Sequence, residues 1–249
     1  MNRSTFLRLR QRVLSLSRRD DVASDQSHFS NVGESSFRSI GDDPLQAAER
    51  YGFRAFKVIA TTSRKTVKFG GEVHRAPLRL VSHPMNGRLA SIYREYLYSP
   101  GVNVAACQPY GGPIHPTAPH LLDNNKPHGC GFYAWSATDE PDAQTPVNTY
   151  TNNLSTFVQA VVAGSGRRIV GTKGFLSERM RIVAFAFPLD CTLASWATES
   201  DRQNAHDLFG PALERLMTAH YPDVAVFDSV ERMVHEFPLT PPAKPPVAA

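Results

Sequence analysis

The feature that most constrains the fold is a long segment in the middle of the chain without regular patterning. Between Gln108 and Lys126 the sequence has four prolines and two glycines, and it follows neither helical nor strand periodicity. Loops of this length without secondary structure of their own are uncommon inside compact domains. Ordering such a segment costs conformational entropy, and a bound metal ion is one way to offset that cost.

Residue types that bind zinc flank and occupy this segment. The candidate metal ligands are Cys107, His115, His120, His128 and Cys130. Zinc prefers thiolate and imidazole ligands in a tetrahedron, and structural sites use four protein ligands. We therefore expect Cys107, His128 and Cys130, with His115 or His120 as the fourth ligand, to hold one structural zinc ion.

The same cluster leaves an enzymatic interpretation open. Cys130 with His128 or His120 would form a nucleophile pair, because a neighbouring imidazole lowers the pKa of a thiol. A catalytic zinc would need an open coordination position and a general base, and Asp123 is the one carboxylate in this segment. No orienting group or oxyanion hole is recognisable in the sequence. A non-catalytic protein is therefore the leading prediction, and a Cys/His-dependent hydrolase or transferase is the alternative.

Composition bounds the class of protein. The 249 residues include 41% hydrophobic residues, enough for a core, and the longest apolar run, 182–187, is too short to span a membrane as a helix. Three cysteines, an odd and low number, argue against a disulfide framework and favour a reducing compartment, so we expect a cytoplasmic protein. The net charge of +4 permits contact with nucleic acid without requiring it.

The pattern of elements predicts an α+β fold with a small mixed or antiparallel sheet, a few packed helices and a metal-stapled loop. Strands are predicted over 51–59, 78–82, 102–107 and 132–136, and over 66–73 with a turn at Gly70-Gly71. A hairpin is predicted over 156–172 with its turn at 164–166. The clearest helix is predicted over 200–220, where Leu208, Ala212, Leu213 and Leu216 recur at helical spacing. A single domain is expected over 44–236, with possible sub-halves near 44–138 and 154–236.

Both ends of the chain differ in composition from this domain. Residues 1–19 contain six arginines and no acid, with apolar residues at helical spacing, and 20–43 are polar. Such a basic amphipathic segment is typical of a transit peptide, of an arm that contacts nucleic acid or an anionic membrane, or of a solvated tail. Residues 20–43 are predicted to be a disordered linker, and 237–249 a proline-rich tail.

Basic residues in the early strands and near 167 predict a nucleic-acid-binding face. The candidates are Arg54, Lys57, Arg64, Lys65, Lys68, Arg167 and Arg168, with Arg75 and Arg79 adding to the charge. Phe53, Phe56 and Phe69 lie among them, as in surfaces that stack on bases. Strand alternation predicts instead that many of these aromatic side chains point into the core.

The chain contains, in order, the segments Gly52-Phe53-Arg54-Ala55-Phe56, Cys107, Ala118-Pro119, His128-Gly129-Cys130-Gly131-Phe132-Tyr133-Ala134 and Gly174-Phe175. This order resembles a family of uncharacterised proteins of actinobacteria and their phages. The family has a G-[YF]-R-A-W opening, a cysteine, an H-x-A-P stretch, a C-x-C-G-[IL]-Y-A motif and a later glycine–aromatic–arginine segment. This chain has His128 where the family has cysteine, and Leu176 where it has arginine. The resemblance implies the fold and the metal site, and no activity.

These observations predict a zinc-stabilised binding module, of the kind a phage encodes, that contacts nucleic acid or a host protein as a regulatory or accessory factor. A structural or assembly protein is a further alternative, suggested by the proline-rich tail.

Overall fold

The computed structural model describes residues 48–91, 96–105, 131–138, 155–192 and 198–241, all within the unit Phe37–Ala249. The predictions for 1–43 lie outside the described residues. So do the five candidate zinc ligands, which fall in the segment 106–130.

The described residues form an α+β fold, as the sequence predicts. The strands are β1 (Arg50–Val58), β2 (Thr62–Ser63), β3 (Thr66–Phe69), β4 (Glu72–Arg75), β5 (Arg79–Leu80), β6 (Leu89–Ala90), β7 (Val102–Val104), β8 (Phe132–Trp135), β9 (Ser155–Val170), β10 (Gly174–Thr192) and β11 (Ala225–Phe227). The helical elements are α1 (Glu199–Asn204), a π-helical turn (Ala205–Phe209), α2 (Gly210–His220) and α3 (Val230–Glu236).

Four strands follow one another around a closed ring. β9 pairs with β1 along one edge and with β10 along the other, all antiparallel. β8 pairs with the beginning of β10 and also with β1, where Trp135 lies opposite Phe53. The order β1–β9–β10–β8 therefore returns to β1, and strands from both predicted sub-halves belong to one sheet. The other strands of this sheet are β6, which pairs with β1, and β7 and β11, which pair with β10.

Glycines make room for the aromatic side chain of Phe175 inside this closed ring of four strands. Phe175 is 1% exposed. A Cβ on Gly164 would lie 2.3 Å from its Cε2 atom, and a Cβ on Gly52 would lie 2.8 Å from its Cε1 atom. Gly174 meets the backbone of Ala134 equally closely, since a Cβ there would lie 2.1 Å from the Ala134 carbonyl oxygen. Side chains at these three positions would collide with the packing that closes the ring.

The predicted hairpin turn at Gly164-Ser165-Gly166 is wrong. β9 runs without interruption through these residues, and the chain reverses at 171–173, where the Gly171 amide donates to the Gly174 carbonyl at 2.8 Å. Gly166 has φ +75° and belongs to a β-bulge, in which two residues of β9 oppose Glu178 of β10. Glycine with positive φ serves a bulge as well as a turn, so the sequence alone does not separate them.

The predicted helix over 200–220 is present, but its buried face differs from the predicted stripe. Leu208 and Leu216 are exposed, and the core side chains are Ala205, Phe209, Leu213 and Met217, each four residues from the next. An α-helix has 3.6 residues per turn, so positions four apart drift around its surface. The wider π-helical turn reduces that drift and keeps these residues on one face.

A second cluster covers the opposite face of the sheet. Met233 of α3 packs there among Phe53 and Val161. The chain after α3 continues along β1, where the Thr240 amide donates to the Tyr51 carbonyl at 2.8 Å and the Thr240 hydroxyl accepts from the Tyr51 amide at 3.0 Å. The segment 237–241, with which the predicted proline-rich tail begins, therefore packs on the sheet.

Candidate nucleic-acid interface

Residues 61–81 form a long β-hairpin, which we call the basic ribbon. β2 pairs with β5 near its root and β3 pairs with β4 toward its tip, and both pairs lie outside the main sheet. Gly70 and Gly71 make the two-residue turn with φ values of +60° and +86°. Tight two-residue hairpin turns favour glycine because it adopts positive φ without strain.

The outer half of the basic ribbon is exposed on both faces. Every residue of β3 and β4 is exposed, including Phe69 at 78%, Val67 at 59% and Val73 at 53%. An isolated two-stranded hairpin is only marginally stable in water. The ribbon therefore depends on the way its root is attached to the domain.

The Asn86 side chain ties the two arms of the root together. Its Oδ1 accepts from the Thr61 amide at 2.7 Å, and its Nδ2 donates to the Val81 carbonyl at 2.7 Å. Asn86 is buried, and its own carbonyl oxygen lies 3.1 Å from Nε2 of His220 at the end of α2. The side-chain amide of Asn86 thus joins the two arms to each other, and its main-chain carbonyl joins the root to the helix.

An ion pair fixes the root to the start of α1. The Arg64 guanidinium donates to Oδ2 of Asp201 at 2.5 Å. Asp201 and Thr198 form a reciprocal capping box: the Asp201 amide donates to the Thr198 hydroxyl at 3.1 Å, and the Thr198 amide donates to Oδ2 at 3.3 Å. Burial acts to raise the pKa of Asp201, but hydrogen bonds from Arg64 and Thr198 outweigh it and hold that pKa below its usual value.

The exposed charge of the basic ribbon is positive. Residues 61–81 contain five lysines and arginines and one acid, Glu72. Because Arg64 pairs with Asp201, four cations remain on the surface. They are Lys65, Lys68, Arg75 and Arg79, all exposed.

The pairing register divides these side chains between two faces. Opposed residues share a face in an antiparallel pair, and successive residues alternate. Val67 and Phe69 therefore share one face with their partners His74 and Glu72. Lys68 and Arg75 lie on the other face with Thr66 and Val73.

Two of the predicted basic residues lie on β1 rather than on the ribbon. The Arg54 guanidinium carbon lies 5.4 Å from the centroid of the Phe56 ring and 5.6 Å from that of Tyr98, and Arg54 donates to the Tyr133 carbonyl at 2.6 Å. Lys57 lies on the opposite face of β1 and is half-buried, and this burial lowers its pKa. Neither residue joins the ribbon surface.

Arg167 and Arg168 have different environments although they are adjacent. Arg167 is exposed at the bulge in β9, where its amide donates to Oε2 of Glu178 at 3.2 Å. Arg168 is 0% exposed, and its guanidinium donates to the carbonyl of Gly164 at 2.8 Å and to that of Ala48. Its charge holds the chain before β1 and does not contribute to an accessible basic surface.

The three phenylalanines that were candidates for base stacking also differ in their exposure to solvent. Phe53 and Phe56 are buried on opposite faces of β1, in agreement with the alternation argument. Phe69 is exposed near the tip of the ribbon. Of the predicted basic residues, the structure places Lys65, Lys68, Arg75 and Arg79 on the exposed surface of the ribbon. The anchors Asn86 and Asp201 were missed. Asp201 belongs to a Thr198-x-x-Asp201 capping pattern that the sequence shows, whereas no local signal marks Asn86.

The residues that flank the segment 106–130 lie at the same edge of β10. Val104 at the end of β7 lies opposite Arg179, and the Ala105 amide donates to the Glu178 carbonyl at 2.8 Å. Phe132 at the start of β8 lies opposite Ser177. The chain thus leaves this edge and returns to it at neighbouring positions.

Among the described residues, no group of three or more His, Cys, Asp or Glu side chains is arranged to hold a metal ion. Cys191 is the one cysteine in these ranges. Burial raises the pKa of its thiol to about 11, so this thiol is protonated and unreactive near neutral pH.

Comparison of the chain with protein-family models, with curated proteins and with solved structures gives no match. None of the helices in the described ranges has the length and apolar character that crossing a membrane requires.

Proposed function

We propose that this protein is a nucleic-acid-binding module and that the basic ribbon is its contact surface. The observation that carries the proposal is the four exposed cations on a hairpin whose outer strands are open on both faces. Lysine and arginine side chains bind phosphates by charge, and this contact supplies most of the affinity of sequence-independent binding. Phe69 adds an exposed aromatic ring on the face of the hairpin opposite Lys68 and Arg75.

The charge count sets the expected salt dependence. Each phosphate contact contributes about −0.9 to the slope of log K against log salt on duplex DNA and about −0.7 on single strands. Four contacts by Lys65, Lys68, Arg75 and Arg79 therefore give a slope of roughly −3 to −4.

The test is fluorescence anisotropy of labelled oligonucleotides, titrated with the protein at several salt concentrations. Lys68→Gln with Arg75→Gln should reduce the magnitude of the slope by about 1.5 to 2. The matched control is Arg179→Gln with Arg215→Gln, two exposed arginines outside the ribbon, which removes the same charge. Equal losses in both variants, or binding that does not respond to salt, would contradict the proposal.

We also infer that a structural zinc ion stabilises the segment between β7 and β8, through Cys107, His128, Cys130 and either His115 or His120. Two contacts of the flanking residues support this inference. The Ala105 amide donates to the Glu178 carbonyl, and Phe132 pairs with Ser177, so both flanking residues lie at one edge of β10. Cys107 follows Ala105 by two residues, and Cys130 precedes Phe132 by two residues. This short separation in sequence from two neighbouring anchors favours a shared ion.

Metal analysis of the purified protein tests this inference. We expect about one zinc ion per chain, with partial unfolding when a chelator removes it. Cys130→Ser should lose the zinc, and Cys191→Ser, the matched control in the sheet, should keep it. Protein without zinc that is unaffected by chelator would rule the site out, and turnover lost in Cys130→Ser with folding retained would favour the enzymatic alternative.

A further inference from the structure

We infer, on the basis of the proposed function, that Phe69 is a stacking platform for an unpaired base, so that the basic ribbon prefers single-stranded nucleic acid to duplex. The inference names both the class of nucleic acid and the side chain that selects it.

The first observation is the position of Phe69. It is 78% exposed and stands one residue before the Gly70-Gly71 turn. A Cβ at either glycine would meet nothing within 4 Å, so the space around the tip is open. A flat ligand therefore has free access to the Phe69 ring.

The second observation is the arrangement of apolar and charged groups around the ring. Val67 lies on the same face two residues away and extends the apolar surface from Phe69 toward the root, with Glu72 and His74 of the paired strand beside them. Lys68 and Arg75 occupy the other face. A single strand presents flat apolar bases and charged phosphates along its length, and so offers a partner to each face of the tip.

Energetics decide between a single strand and a duplex. Stacking of a base on an aromatic side chain strengthens binding by about 5- to 140-fold per base. Inserting the same ring into a duplex first requires unstacking a base step, which costs a free energy of similar size. Proteins that bear this cost recover it by wrapping bent DNA over a large surface, and the ribbon offers only four cations for that purpose. An unpaired base avoids the cost.

The experiment compares a fluorescein-labelled oligonucleotide with its blunt duplex at equal salt, using the wild-type protein and three variants. Phe69→Ala should weaken single-strand binding by about tenfold and leave duplex binding unchanged. Phe69→Trp should retain or strengthen single-strand binding. Val73→Ala, which truncates an exposed apolar residue on the other face, should change neither. A 2-aminopurine base in the single strand should lose fluorescence when bound to the wild type but not to Phe69→Ala.

Each outcome separates this inference from the proposed function. Salt-dependent binding that falls in Lys68→Gln with Arg75→Gln but not in Phe69→Ala would overturn the inference and leave the proposed function standing. Tighter binding to duplex than to single strand would also overturn it. No binding to either nucleic acid would refute both, as would binding only to anionic phosphatidylserine vesicles, in which Phe69 would act as a membrane contact instead.

Discussion

Phe175 and Phe69 mark two regions of the molecule that use glycine in opposite ways. Around Phe175, Gly52 and Gly164 have no side chains that could collide with the aromatic group, and Phe175 is buried. Beside Phe69, Gly70 and Gly71 turn the chain in open space and leave the ring exposed. Burial of side chains such as Phe175 therefore stabilises the four-stranded ring. The side chains at the tip of the basic ribbon contribute no such stabilisation, and they remain accessible for contact.

The three segments at the closure of the ring show what this close packing requires. Ala134 of β8 lies against Gly52 of β1 and pairs with Phe175 of β10. Small residues at these points allow β8 to pair with both neighbours.

The largest expected effect comes from truncating the two phenylalanines in parallel. Phe175→Ala should lower the free energy of unfolding by about 3 to 5 kcal/mol, because it leaves a cavity enclosed by the ring. Phe69→Ala should change it by less than about 0.5 kcal/mol, because the side chain is already in water. Urea unfolding followed by circular dichroism measures both. Similar losses in the two variants would show that the basic ribbon packs on something in solution.

A smaller effect is expected at the junction of the two regions. Asn86→Ala removes the amide that bonds the Thr61 amide and the Val81 carbonyl, and should cost about 1 to 3 kcal/mol because these groups lose their partner. Hydrogen exchange should then quicken across 62–80 before it does so in β9. Asn204→Ala, which loses only an exposed contact to Ser200, is the control. Uniform acceleration across both regions would show that root and ring unfold together.

The smallest effect is a pH dependence that originates at Asp201. The pKa of this carboxyl is lower in the folded than in the unfolded state, where it is about 3.9. Its contribution to stability is therefore present above about pH 4 and is lost as the pH falls through the folded-state value. Thermal unfolding of Asp201→Asn and the wild type should differ at pH 6, and the difference should shrink toward pH 3. A difference that stays constant over this range would show that ionisation of Asp201 does not contribute to stability.

Local patterns predict much of the fold. Alternation predicts β1 with Phe53 and Phe56 in the core, and Gly70-Gly71 marks a turn that the structure confirms. Periodicity predicts the helix over 200–220 but assigns Leu208 to the apolar stripe, since a π-helical turn alters the phase.

The sequence could not predict which arginine side chains are buried and which are exposed, because their burial depends on partners distant in sequence. Arg64 meets Asp201 across 137 residues, and Arg168 meets Ala48 across 120. The same basic pattern thus yields a buried anchor at one position and an exposed charge at another. Alternation likewise defines two faces of a strand without saying which is covered, so it does not separate Phe69 from Phe56.

Replacing residues 66–75 by a short Gly-Ser turn tests the division between ring and ribbon most directly. The Ala76 amide already donates to the Lys65 carbonyl at 2.8 Å, so the shortened hairpin can close at that pair. We predict an unfolding midpoint close to that of the wild type. Binding to a single-stranded oligonucleotide should weaken by at least about tenfold, because Phe69 is lost. Its salt slope should fall in magnitude by about 1.5 to 2, because Lys68 and Arg75 are lost. A shortened protein that binds as well as the full chain, or that no longer folds, would contradict the account.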